Sequence, residues 1–126
     1  VLPQSVLAEG GYRVQGRTPE EAAALEEDAR AVQDAGAFAL VLECLPMSLS
    51  ARITDALDIP TIGIGAGPHC DGQIQVLHDI VGLFEDFMPR HTKRYAFLAE
   101  TMRDALGAYR DEVRSGVFPA EEQSFK

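Results

Sequence analysis

The feature that most constrains the fold is a run of five apolar residues, 38–42, followed directly by Glu43. Such a run, with Gly36 just upstream, is typical of a short strand buried on both faces, as in parallel sheets. The carboxyl ends of these strands open onto the crevice or barrel mouth where ligands bind. We therefore predict that Glu43 lies at that mouth and not in the core.

Helices are predicted on both sides of this strand. Thr18 and Glu21 form a capping-box pattern around Pro19, which suits a first helical position, and Gly36 is a stop signal. The apolar face of this first helix is predicted to be Ala22, Leu25, Ala29 and Val32. A second helix is predicted from about Ser48 until residues 58–60, with Leu49, Ile53, Ala56 and Leu57 on one face.

A second strand is predicted over residues 61–67, which run into a glycine-rich turn. Further on, we expect a strand around residues 74–77 and a long final helix capped by Thr92 and ended by Ser115 and Gly116. The final helix carries an apolar stripe of Leu98, Met102, Ala105, Leu106, Tyr109 and Val113. The aromatic residues of the tail are expected to pack on this chain or on a neighbour.

The order helix, strand, helix, strand with short connections predicts right-handed βαβ units and a parallel sheet, hence an α/β fold. With 126 residues, the chain is treated as one domain over 1–126. It begins at Val1 without an initiator Met, which we take as a start in mid-protein.

The net charge limits the classes of partner, and the cysteine content indicates the redox compartment. The formal net charge is −9, which argues against nucleic acid or an anionic membrane as the main partner. No apolar run approaches the roughly 20 residues that span a bilayer, and no secretory leader is visible. Two separated cysteines indicate neither a disulfide framework nor a zinc ribbon, and they fit a reducing cytoplasm.

Glu43 is the strongest candidate for chemistry. A carboxylate at the end of a buried strand is partly withdrawn from water, which suits a general base that removes a proton from carbon. The alternative is an ion pair with Arg52 on the following helix, and from the residues alone that is the more frequent arrangement.

Other polar clusters give weaker signals. Residues 1–17 are predicted to form a loop, whose donors either bind an anionic or amide-bearing ligand or are simply solvated: Tyr12, Arg13, Gln15 and Arg17. Residues 63–67 lack the full dinucleotide pattern and suggest either a tight turn or an anion-binding turn. A metal site is not expected from Cys44, His69, Cys70, His78 and Asp79, because their spacing is wrong for ligands.

The sequences of six segments of the chain closely resemble the ketopantoate hydroxymethyltransferase family. The matching segments are residues 2–6, 10–17, 40–44, 62–67, 71–74 with 78–79, and 112–119. The resemblance extends from Val1 to the end of the chain. It implies a (βα)8 TIM barrel of the phosphoenolpyruvate/pyruvate type, of which this chain is the C-terminal half.

The resemblance also implies a reaction. In the family, Mg²⁺ chelates 3-methyl-2-oxobutanoate, a glutamate removes the C3 proton, and the one-carbon unit of 5,10-methylenetetrahydrofolate is added to give 2-dehydropantoate, a step of pantothenate biosynthesis. The matching glutamate is Glu43. The family's metal-binding aspartates and substrate-binding lysine belong to the N-terminal half, so the isolated chain is expected to be inactive.

Partners follow from the same resemblance. They are the keto acid, the folate, and either further copies in a homo-oligomer or a complementary N-terminal half. Two alternatives stay open: another keto-acid or phosphoenolpyruvate barrel enzyme, and a non-catalytic α/β module that binds a small anion or serves in assembly.

Overall fold

The computed structural model describes residues 13–125, and the chain divides into two compact units between Gln75 and Val76. The first unit contains α1 (Pro19–Asp34), β1 (Leu40–Glu43), α2 (Met47–Ala56), β2 (Thr61–Ile64) and β3 (Gly72–Gln73). The second contains α3 (Leu77–Ile80), α4 (Leu98–Ser115) and a 3-10 helix, Glu121–Gln123.

The first unit is built on a parallel sheet. Its strand order is β1-β2-β3 and both pairings are parallel, with Leu40 opposite Thr61 and Glu43 opposite Ile64. β1 and β2 are connected by α2, as a crossover between parallel strands requires. The predicted α/β class with a parallel sheet is therefore confirmed.

α1 begins where the sequence predicts. The Thr18 hydroxyl accepts a hydrogen bond from the Glu21 amide at 3.2 Å, and the Glu21 carboxylate accepts one from the Thr18 amide at 3.5 Å, which completes the capping box. This pattern is local, so it can be identified from sequence alone. Three of the four residues predicted for its inner face are buried and the fourth packs against them: Ala22, Leu25, Ala29 and Val32.

The hydrophobic core lies on one face of the sheet. Leu40 and Leu42 of β1 pack there with the inner faces of α1 and α2, including Leu49 and Ile53. The prediction of a strand buried on both faces is wrong, because Val41 is 41% exposed while Leu42 is 1% exposed. Among residues 13–75, the helices cover only the face that carries Leu42, so the face that carries Val41 stays open.

Several predicted boundaries differ from the structure. β1 starts at Leu40, and Phe38 before it is 90% exposed. Ala56 ends α2 in an exposed position. The prediction of a strand at residues 74–77 is wrong. The pairing of the sheet ends at Ile74, whose amide donates to the Gly63 carbonyl at 3.0 Å, and α3 begins at Leu77. Short apolar runs do not distinguish strand from helix, which explains the error.

The second unit is dominated by α4. It starts at Leu98, so the predicted cap at Thr92 is wrong; the Thr92 amide instead donates to the Pro89 carbonyl in a turn. It ends at Gly116, whose φ of 76° gives the left-handed cap predicted there. One tail aromatic, Phe118, packs edge-on against Tyr109 with ring centroids 5.5 Å apart.

Most of the α4 stripe remains uncovered within the second unit. Its large apolar members are all exposed: Leu98, Met102, Leu106, Tyr109 and Val113.

Across the described part of the chain, no helix combines the length and apolar character needed to cross a bilayer.

Candidate active site

Glu43 lies at the carboxyl end of β1, opposite Ile64 of β2. The alternation along β1 sends Leu42 into the core, so Val41 and Glu43 face the open side of the sheet. Glu43 is half-buried there. The structure therefore places this carboxylate where the sequence predicts, at the edge where parallel strands present ligand-binding groups.

No protein group neutralises this carboxylate in the described part of the chain. Within residues 13–125, Glu43 makes no side-chain hydrogen bond and no ion pair. The predicted alternative, an ion pair with Arg52, is wrong: the Nε of Arg52 donates to Oε1 of Glu26 at 2.6 Å. Glu26 lies on α1, which packs beside α2, and that packing is not visible in the local sequence around Arg52.

Cys44 turns the chain immediately after Glu43. Its φ of 53° is in the left-handed region, which is uncommon for a residue other than glycine and is often found at functional sites. Its amide donates to the Ile64 carbonyl at 2.9 Å, and its carbonyl accepts from the Gln15 amide at 3.1 Å. Burial, and then the charge of Glu43, raise the pKa of the Cys44 thiol, so this thiol stays neutral beside the carboxylate.

The hydrogen bond from Gln15 brings part of the loop predicted over residues 1–17 to this edge. Gly16 follows with a φ of 70°, and a β-carbon there would overlap the Leu49 side chain of α2. This close approach explains why a glycine stands at position 16. Of the four donors named in this loop, Tyr12 lies outside the described residues, while Arg13, Gln15 and Arg17 lie within them.

The glycine-rich turn after β2 is held by side chains that the sequence did not single out. The Ser50 hydroxyl, fully buried on α2, donates to the Ala66 carbonyl, and the Gln73 amide donates to the Gly67 carbonyl at 2.9 Å. Gly65 and Gly67 have φ values of 65° and 79°. The one available signal for Ser50 was a hydroxyl between Leu49 and Ile53, on an otherwise apolar helix face.

The opposite edge of the sheet carries a different carboxylate. Asp71 accepts hydrogen bonds through Oδ2 from the Thr61 amide at 2.8 Å and from the Thr61 hydroxyl at 3.1 Å. These bonds hold the pKa of Asp71 below its ordinary value. Thr61 is the first residue of β2, so Asp71 is a structural group at the amino edge, on the far side from Glu43.

The residues present do not form a metal centre. Among residues 13–125, no group of three or more His, Cys, Asp and Glu side chains is arranged to hold an ion. Cys70 is part of the hydrophobic core.

Fold and site together define an α/β protein with a carboxylate at the carboxyl edge of a parallel sheet, and this carboxylate has no ion pair among residues 13–125. The family model of ketopantoate hydroxymethyltransferase matches residues 1–121. The chain thus belongs to the ketopantoate hydroxymethyltransferase family.

Curated relatives agree with the family match. The 3-methyl-2-oxobutanoate hydroxymethyltransferase of Moorella thermoacetica is 58% identical over 126 residues, which is 100% of this chain and 47% of that protein. The enzyme of the same name from Pelobacter propionicus is 61% identical over 125 residues, 99% of this chain and 46% of the relative. The chain spans about half the length of these relatives.

Proposed function

We propose that this chain is the C-terminal half of an enzyme that transfers a hydroxymethyl group from 5,10-methylenetetrahydrofolate to 3-methyl-2-oxobutanoate, giving 2-dehydropantoate. The observation that carries the proposal is the half-buried Glu43 carboxylate on the open sheet face, without an ion pair among residues 13–125. The names of the relatives supply the reaction class.

Glu43 is proposed as the proton acceptor. Its carboxylate would take the proton from C3 of the keto acid, and C3 would then form a bond to the one-carbon unit of the folate. The two bonds from that carbon to the folate nitrogens break, water supplies the hydroxyl oxygen, and tetrahydrofolate leaves with the protons on its nitrogens. A positioned general base contributes about 10²- to 10⁴-fold to such a proton transfer.

We infer that residues 1–126 belong to one (βα)8 barrel domain. The relatives are about twice as long as this chain, and a barrel of this kind needs roughly 250 residues. Val41 and Glu43 on the open face would then point into the barrel interior. Any Mg²⁺ of the complete enzyme would be bound by residues of the other half, since the described residues do not fit it.

Association is the second part of the proposal. The chain is expected to pair with a complementary N-terminal half or to assemble with further copies, in the cytoplasm. The edge of β3, beside which residues 13–75 place no further strand, supports the first arrangement, and the exposed stripe of α4 supports the second.

Turnover tests the proposal. The chain is co-expressed with the N-terminal half of a relative, and formation of 2-dehydropantoate is measured with and without 5,10-methylenetetrahydrofolate. Glu43→Gln should reduce kcat by about 10²- to 10⁴-fold, while Glu27→Gln, an exposed change on α1, should not. Folate-independent turnover would identify a different barrel enzyme, and full activity in Glu43→Gln would remove the assigned base. The chain alone should give no product.

A further inference from the structure

A groove of about 400 Å³ lies between the first turns of α1 and α2. One wall comes from Arg17, Thr18 and Glu26, and the other from Ser48, Leu49 and Arg52. Both helices start at the carboxyl edge of the sheet, so the groove lies at the same edge as Glu43 but on the helix-covered side. Its volume is within the range of small-molecule sites.

The guanidinium groups of the groove have unused donors. The Nε of Arg52 donates to Glu26, which fixes the plane of the Arg52 side chain. The two terminal nitrogens of Arg52 have no acceptor among residues 13–125, and neither does the side chain of Arg17. A guanidinium held in this way presents paired N–H groups whose geometry matches a carboxylate.

The local charge is opposite to that of the whole molecule. The protein has a formal net charge of −9, whereas the groove combines two arginines with one glutamate. Thr18 and Glu21 cap α1, but α2 has no side-chain cap, so its first amides add to the positive end of the groove. Leu49 and Ala22 give the groove an apolar floor.

We propose that this groove binds a small ligand with a carboxylate on an apolar stem. The carboxylate is held by Arg17 and Arg52, and the stem lies on Leu49 and Ala22. Two sources have this chemistry: the glutamyl end of the folate donor and a free small polycarboxylate. The folate source rests on the proposed function, because a folate is the donor in that reaction. Binding of a free polycarboxylate does not rest on it, because no residue of the groove is used in proton transfer.

The test is a titration of the ¹⁵N-labelled chain with tri-γ-glutamate, followed by amide chemical shifts. Shifts are expected at groove residues such as Ala23 and Ser48. Arg17→Gln and Arg52→Gln should each weaken binding about tenfold, as expected for loss of a charged hydrogen bond. Arg30→Gln, which removes the same charge from an exposed site on α1, should leave the affinity unchanged.

Two results would overturn the assignment of the groove as a carboxylate site. Shifts spread over the surface, or equal weakening by Arg30→Gln, would show non-specific attraction and overturn the groove assignment. The amide shift pattern of each variant reports whether it is folded. Glu43→Gln should bind tri-γ-glutamate with the same affinity as the unchanged chain. A failure of binding in the groove can therefore be distinguished from a failure of the proposed reaction.

A second ligand distinguishes the two sources. If pteroyl-tri-γ-glutamate binds more tightly than tri-γ-glutamate and shifts the same amides, the groove takes the tail of a folate. If both bind equally, the groove is a site for free polycarboxylates. If neither shifts the groove amides, the proposal is wrong.

Discussion

Single residues at the carboxyl edge fix the path of the chain around Glu43. Gly16 lies under Leu49 and has a positive φ, and the Gln15 amide before it bonds to the carbonyl of Cys44. A side chain at position 16 would therefore push the 13–17 segment away from the site, so the backbone of this loop is part of the site's construction.

The first prediction compares two glycines with the same sign of φ. Gly16→Ala should destabilise the first unit by about 2–4 kcal/mol, because it adds an overlap with Leu49 to the backbone strain. Gly36→Ala, whose β-carbon would meet nothing within 4 Å, should cost only the strain, about 1 kcal/mol. Urea unfolding measures both, and equal costs would contradict the close packing at Gly16.

The second prediction concerns acid stability. Hydrogen bonds from Thr61 lower the pKa of Asp71 below its ordinary 3.8, so the carboxylate contributes stability above that pH. This contribution is lost as the pH falls through the lower folded pKa. Asp71→Asn should be less stable than the unchanged chain at pH 7, and the two should converge in urea unfolding below pH 3.8. Asp55→Asn is the control, and a constant Asp71→Asn difference at all pH values would refute the role.

At the level of elements, β1 has one packed face and one open face. Leu42 is 1% exposed and Val41 is 41% exposed, although they are neighbours in the same strand. Leu42→Ala should cost about 2–5 kcal/mol through the cavity it leaves, and Val41→Ala about 1 kcal/mol or less. Comparable losses in urea unfolding would mean that the open face is packed in solution.

Elements defined by local signals were predictable from the sequence. The cap of α1 at Thr18, the end of α4 at Gly116 and the position of Glu43 at the end of β1 each depend on a few adjacent residues. Features that depend on packing between elements were not predictable. The partner of Arg52 is on another helix, and Ser50 holds a carbonyl 16 residues away.

Two apolar surfaces of the molecule are exposed. The open face of the sheet and the stripe of α4 leave large side chains in water, which favours association. Leu106→Lys, on the α4 stripe, should shift the chain toward monomer in sedimentation measurements at matched concentration. Arg110→Lys, which keeps the charge on the same helix, is the control. An unchanged distribution of species in Leu106→Lys would exclude α4 as the assembly surface.

Deuterium exchange at C3 of the keto acid reports directly on whether Glu43 removes the proton from this carbon. The chain paired with the N-terminal half of a relative is incubated with 3-methyl-2-oxobutanoate in D₂O without folate, and incorporation at C3 is followed by NMR. We predict exchange with Glu43 present and a loss of about 10²-fold or more in Glu43→Gln, with folding retained. Exchange at an undiminished rate in folded Glu43→Gln would show that Glu43 is not the base.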